Sequence, residues 1–295
     1  QLAELGPREV RTCLACHAPL HEQQPFTGAG ARNRAFDAGL QHAGVACAAC
    51  HMRGRVWHGP PRKAGHDPGI AWPEEMPHGE VVRTDLFEES RFCASCHQFA
   101  PDADAPGGKP LENTYEEWRA SEFAARGVSC QACHMPDRAH RFRGIHDPAT
   151  VAGGLELNLD ASGATLRSVG VGHMFPTYAT PRVVLALIGR DAAGKPHLRR
   201  EHAIARVVDF STKPPRELSD TRLAPGRAVT IPLPAVGPGA SYRAEVRVEP
   251  DFFYAGEFRR ALAAPHDPEV RKLLAEALRR ATASPYVALS AEFSP

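Results

Sequence analysis

All eight cysteines of this 295-residue chain are taken up by four copies of one pattern, Cys-x-x-Cys-His. The copies are Cys13-Leu14-Ala15-Cys16-His17, Cys47-Ala48-Ala49-Cys50-His51, Cys93-Ala94-Ser95-Cys96-His97 and Cys130-Gln131-Ala132-Cys133-His134. Zinc held by the cysteine pairs would leave four imidazoles unexplained. A disulfide framework has no need of paired cysteines three apart with a histidine beside each. Iron–sulfur clusters use tighter cysteine runs. Covalent haem accounts for every group: two thiols add across the two vinyl groups of a porphyrin, and the adjoining imidazole reaches its iron. The sequence therefore predicts four covalently attached haem c groups. They are held through Cys13 and Cys16, Cys47 and Cys50, Cys93 and Cys96, and Cys130 and Cys133, with His17, His51, His97 and His134 as proximal ligands.

The length suits one large or two ordinary domains. The chain begins at Gln1 rather than Met, and haem is joined to thiols outside the cytoplasmic membrane, so an exported protein is expected, extracellular or on the cell surface, otherwise periplasmic. No apolar run approaches the length of a membrane span, and no transmembrane segment is expected. The formal charge of +1 omits two propionates on each haem. With them the balance is about −3 for four ferric haems and about −7 for four ferrous ones. Nothing in it points to nucleic acid as a partner.

Composition divides the chain near residue 150, into a haem half (1–150) and a cysteine-free half (151–295). In the second half, short apolar or alternating runs are separated by turns: Leu155–Leu159, Thr165–Val171, Arg182–Ile188, Ala203–Phe210, Ala228–Leu233 and Tyr242–Val248. That spacing predicts an immunoglobulin-like β-sandwich. A helix follows from Pro268 to Thr282, capped by Asp267, with Val270, Leu273, Leu274, Ala277 and Leu278 at helical intervals. The expected class is α+β: a loop-rich, helix-poor tetrahaem domain, then a β-sandwich with a C-terminal helix. The haem half reads as a duplicated dihaem unit. Gly44–Met52 echoes Gly127–Met135 at a shift of 83 residues, and Gly65-His66-Asp67-Pro68 echoes Ile145-His146-Asp147-Pro148 at 80. Modules this small bury little surface alone, so haem is expected to supply core.

The second axial ligand decides what such irons can do. An open position binds small molecules, whereas a second imidazole closes it and leaves electron transfer. Eleven histidines lie outside the motifs. His21, His197, His202 and His266 stand in polar or loop contexts. His42, His58 and His66 surround the second motif, and the last two have repeat counterparts in His140 and His146. Met52 and Met135 follow a proximal histidine too closely to return across the same iron.

Several stretches resemble the cytochrome c554-like multihaem family, which shares a haem-packing motif with the cytochrome subunits of extracellular nanowires. They are Cys16–Leu20, Phe92–Phe99, Thr114–Ser121, His140–Pro148 and Gly172–Thr177. The resemblance runs from the first motif to about residue 185. It implies closely packed bis-histidine haems whose distal ligands lie far from their own motifs. Carried onto this chain, it favours His78, His140, His146 and His173, with His42, His58 and His66 as alternates near the second haem. As a ligand, His173 would pin the second half onto the first, with Gly172 allowing close backbone approach.

The resulting expectation is an electron carrier rather than a catalyst, exchanging electrons with redox proteins or external acceptors, as a soluble protein or as a homopolymeric filament. A multihaem oxidoreductase acting on small nitrogen or sulfur compounds at one open haem is the alternative. Against it, the chain has no Cys-x-x-Cys-Lys motif. A third reading makes the β half a binding module.

Overall fold

A computed structural model describes residues 6–62, 81–101, 103–234 and 239–295. Backbone packing divides the chain between Cys96 and His97, into Gln1–Cys96 and His97–Pro295.

In the first unit, helix α1 (Pro7–His17) starts with proline at its first position, and the Gly6 N–H donates to Glu9 Oε2. Val10 and Leu14, one turn apart, are buried with Ala18 against Phe26. Among the described residues these three are the unit's buried apolar side chains. With so little apolar burial, amide side chains carry much of the organisation. Gln23, fully buried, donates to the carbonyls of Leu40 and Gly44 and accepts from the Leu20 N–H. Asn33 donates to the carbonyls of His21 and Gln24. Helix α2 (Ala38–His42) is capped by Asp37, and α3 (Cys47–His51) follows. Strand β1 (Met52–Arg53) pairs antiparallel with β2 (Val56–Gly59), which runs parallel to β3 (Val81–Arg83). Helix α4 (Arg91–His97) brings the third motif to the division.

The second unit opens with short helices: α5 (Thr114–Arg119), α6 (Glu122–Ala125), α7 (Cys130–His134) and α8 (Pro148–Gly154). Strands β4 (Leu155–Asp160), β5 (Gly163–Ser168), β6 (Arg182–Arg190), β7 (Pro196–Ile204), β8 (Arg206–Asp209), β9 (Arg216–Asp220), β10 (Ala228–Pro232) and β11 (Ser241–Glu249) come next. Helices α9 (Phe252–Leu262) and α10 (Pro268–Ala283) precede the last strand, β12 (Tyr286–Phe293). Two antiparallel sheets, ordered β10-β5-β4 and β12-β11-β6-β7, share one apolar core, in which Leu166 and Ile231 meet Leu185, Leu187, Tyr242 and Val246. On β11, Tyr242, Ala244, Val246 and Val248 are buried at alternate positions, as a strand with one inward face requires.

Several boundaries differ from expectation for local reasons. The strand expected over Thr165–Val171 stops at Ser168, because the N–H groups of Val169 and Gly170 both turn to the Gly154 carbonyl. The run Ala203–Phe210 is two strands: β7 ends at Ile204, and β8 leaves the four-stranded sheet to pair with β9. Along α10 the expected apolar stripe is only partly covered, with Leu273 70% exposed. The compositional break near residue 150 falls inside the second unit. The Arg206 side chain, wholly buried on β8, explains why earlier residues belong there. It donates to the carbonyls of Pro106, Lys109 and Pro110 while pairing with Glu217.

Candidate functional site

Each motif occupies the end of a helix: α1, α3, α4 and α7 all terminate on the histidine. Cysteine is among the residue types most often buried. Here none of the eight is buried and none forms a disulfide. Burial pushes the Cys50 and Cys133 thiols up rather than down, which is not the environment of an activated nucleophile. The thiols are spaced along one helical face and reach its surface, a donor set that fits thioether linkage to a planar group.

The imidazoles are oriented through their Nδ1 atoms. His51 Nδ1 lies 2.8 Å from the His58 carbonyl, and His134 Nδ1 lies 2.5 Å from the Arg143 carbonyl. A carbonyl can only accept, so each Nδ1 carries the proton and Nε2 is left as the free base, the tautomer a metal requires. His173 has the same arrangement, with Nδ1 2.9 Å from the Met174 carbonyl. Burial holds His173 down at about 4, against the Met174 hydrogen bond that raises it, so the ring is neutral at pH 7. His97 differs: its Nδ1 meets the Tyr178 hydroxyl at 2.7 Å.

Helix α5 fixes three of these segments. At its start, Gln98 next to His97 accepts from the Glu116 N–H and donates to Asn113 Oδ1, both at 3.1 Å. On a second side, Trp118 Nε1 donates to the Val128 carbonyl at 2.9 Å, two residues before the fourth motif. On a third, Glu117 accepts from the Met174 N–H at 3.2 Å and pairs with Arg222 at 3.0 Å. Gly172 completes the contact, since a Cβ there would lie 3.3 Å from Trp118 Cδ1 and Phe123 Cβ. Phe175 is pinned in turn by paired main-chain bonds with Leu223.

The outcome is that the His134 and His173 rings come together, centroids 6.3 Å apart and planes 13° from parallel. The other candidates are placed differently. His140 stands edge-on to Phe142, and His146 directs Nε2 to Asp251 Oδ2 at 3.1 Å. His42 ends α2, and His58 lies on β2 with its carbonyl serving His51. His66 and His78 lie outside the described residues.

Arg222 carries no signal in the sequence. It is a buried arginine in an irregular segment, its guanidinium held by Glu117, by Asp220 and by the Thr177 carbonyl. Thr177 also meets the Thr114 hydroxyl at 2.7 Å, and Tyr178 follows it in the chain.

No known family profile matches the chain, and no curated protein is similar to it. Among solved structures it is similar to a penta-haem cytochrome c552 from Thermochromatium tepidum. The TM-score is 0.60 at 20% identity, covering 96% of this chain and 83% of that one. The chain thus has the fold of that protein.

Proposed function

We propose that the chain is a multihaem electron-transfer cytochrome c, with four haems attached through its four Cys-x-x-Cys-His motifs and closed by axial histidine pairs. The observation that carries this reading is the spacing of His134 and His173. Two imidazoles bound through Nε2 on opposite sides of one metal, with bonds of about 2.0–2.1 Å and ring radii near 1.1 Å, have centroids about 6.3 Å apart. The two rings stand at that distance, and both Nδ1 atoms are already engaged with carbonyls. Haem supplies one-electron chemistry when bound. The chain's own residues would do the rest: the cysteines would anchor haem and the imidazoles would ligate its iron, with the rings of His51, His134 and His173 kept in the Nε2-free tautomer by the carbonyls of His58, Arg143 and Met174. The scant apolar core among the described residues of Gln1–Cys96 supports the same reading, since covalently held porphyrin would serve there as interior.

His78, His140 and His146 are retained as proposed distal ligands of the remaining irons. Of these, His146 has to exchange its bond to Asp251 for the metal. Export follows from the attachment chemistry, and the nanowire-like stretches favour electron transfer to external acceptors, with assembly into a filament as the multimeric form.

Mass spectrometry and a pyridine haemochrome assay on the exported protein test the proposal together with ferric electron paramagnetic resonance. Four haems per chain, all low-spin and indifferent to cyanide, are expected. A high-spin haem that binds cyanide or nitrite would replace the carrier with an oxidoreductase. Filaments in electron micrographs of the same sample would establish the polymeric form, and dispersed particles would exclude it.

A further inference from the structure

His51, His134 and His173 donate Nδ1–H to main-chain carbonyls, whereas the Nδ1 of the proximal candidate His97 meets a side chain, the Tyr178 hydroxyl at 2.7 Å. The contact is built rather than incidental. The two rings lie 23° from parallel with centroids 6.3 Å apart. Tyr178 adjoins Thr177, which is fixed by Thr114 at 2.7 Å and by Arg222, whose guanidinium donates to the Thr177 carbonyl at 2.8 Å. The position of Tyr178 is therefore set by helix α5 and the buried Arg222 cluster, not by a free rotamer.

We propose that Tyr178 is the positioning residue for His97, and that it gives the third haem a reduction potential different from those whose proximal imidazoles bond to carbonyls. The proposal rests on the ligand reading above. An amide carbonyl is a stronger acceptor than a phenol, so it leaves more negative charge on the imidazole and favours ferric iron. A weaker acceptor leaves the ligand less basic and raises the potential, because second-shell bonding is one of the levers by which a protein sets haem potential. Tyr178→Phe keeps the ring and removes the only atom in question, which takes that step to its limit.

The test is a potentiometric titration of the four-haem protein, followed by electron paramagnetic resonance, on wild type and Tyr178→Phe. One haem is expected to become about tenfold easier to reduce, about 59 mV for one electron, with the other three unmoved and all four still low-spin. Four unmoved potentials in a protein that retains four haems would overturn the proposal while leaving the carrier reading intact. A wild type with fewer than four haems would instead remove the reading beneath it. Should the variant fail to mature, nuclear magnetic resonance of the diamagnetic, fully reduced wild type decides. One ligand-histidine Nδ1 proton must show a cross-relaxation peak to a tyrosine ring, and its absence overturns the proposal.

Discussion

His134 and His173, 39 residues apart in the chain, hold their imidazole planes 13° from parallel with centroids 6.3 Å apart. Between them in sequence lie α8 and the β4–β5 hairpin, so the pairing is made by tertiary structure and not by a local motif. Each ring is held through Nδ1 by a main-chain carbonyl, which leaves both Nε2 atoms as free bases.

Replacing His173 with alanine should open one iron and leave the rest closed. In the ferric visible and electron paramagnetic resonance spectra, one haem in four is expected to become high-spin and to bind cyanide. Four low-spin haems in that variant would mean that another residue occupies the position.

Gly172→Ala tests the same segment from its backbone. The added methyl would press on Trp118 and Phe123 at 3.3 Å, tighter than ordinary packing. The expected loss of stability is about 1–3 kcal/mol, typical of overpacking. It should be accompanied by a partial high-spin signal at the fourth haem alone. Denaturant unfolding of the holoprotein measures the first effect, and spectroscopy the second.

The Arg222 side chain is 1% exposed, between Glu117 at 8% and Asp220 at 12%. Arg222→Ala would strand buried Glu117 without its counter-charge and leave Asp220 with Lys109 alone, and breaking a buried pair in this way usually costs about 3–5 kcal/mol. Arg222→Met in a Glu117→Gln, Asp220→Asn background should recover much of that loss. A single Arg222→Ala change that unfolds at the wild-type midpoint would show that the cluster is not a source of stability.

Glu112 makes stability depend on pH. Burial, with Glu117 adding repulsion, pushes its carboxyl up to about 8, and its Oε2 is buried without a hydrogen-bond partner. In the unfolded chain it titrates near ~4.3. Between those values the folded protein keeps a proton that the unfolded chain has lost. Stability therefore falls as pH rises through this window, by up to about 1.4 kcal/mol per pH unit, and levels off above about 8. In Glu112→Gln that component should vanish, leaving the variant more stable than wild type at pH 8 and little different at pH 4. Urea unfolding at both values tests this, and equal slopes for the two proteins would refute the assignment.

What the sequence discloses is what local chemistry determines. The four attachment motifs, the Asp267 cap of α10 and the apolar runs of β4, β6, β10 and β11 are legible because neighbouring residues suffice to specify them. Strands β7 and β9 are not: Pro196–Ile204 and Arg216–Asp220 are largely polar, exposed edges, without the alternation that one buried face imposes. Helix α9 hides behind the aromatic start Phe252-Phe253-Tyr254, which reads equally well as strand. At the site, Gly172 and His173 are visible as a motif, whereas the Glu117–Arg222 pair spans 105 residues and leaves no local trace. The same holds for Arg206, whose carbonyl partners lie 96 to 100 residues earlier and draw the unit boundary back from residue 150.

Helix α5 is six residues long, about 9 Å, and it touches the segments carrying His97, His134 and His173. A body that short cannot flex appreciably, so thermal displacement of one anchored segment carries the others with it. Under the proposed ligation such motion would be common-mode, moving neighbouring redox centres together and leaving the gap between them nearly constant. Electron tunnelling falls steeply with that gap. On the proposed ligation, a helix of under two turns with no redox chemistry of its own would serve as the spacer that keeps the hopping rate quiet while the rest of the fold fluctuates.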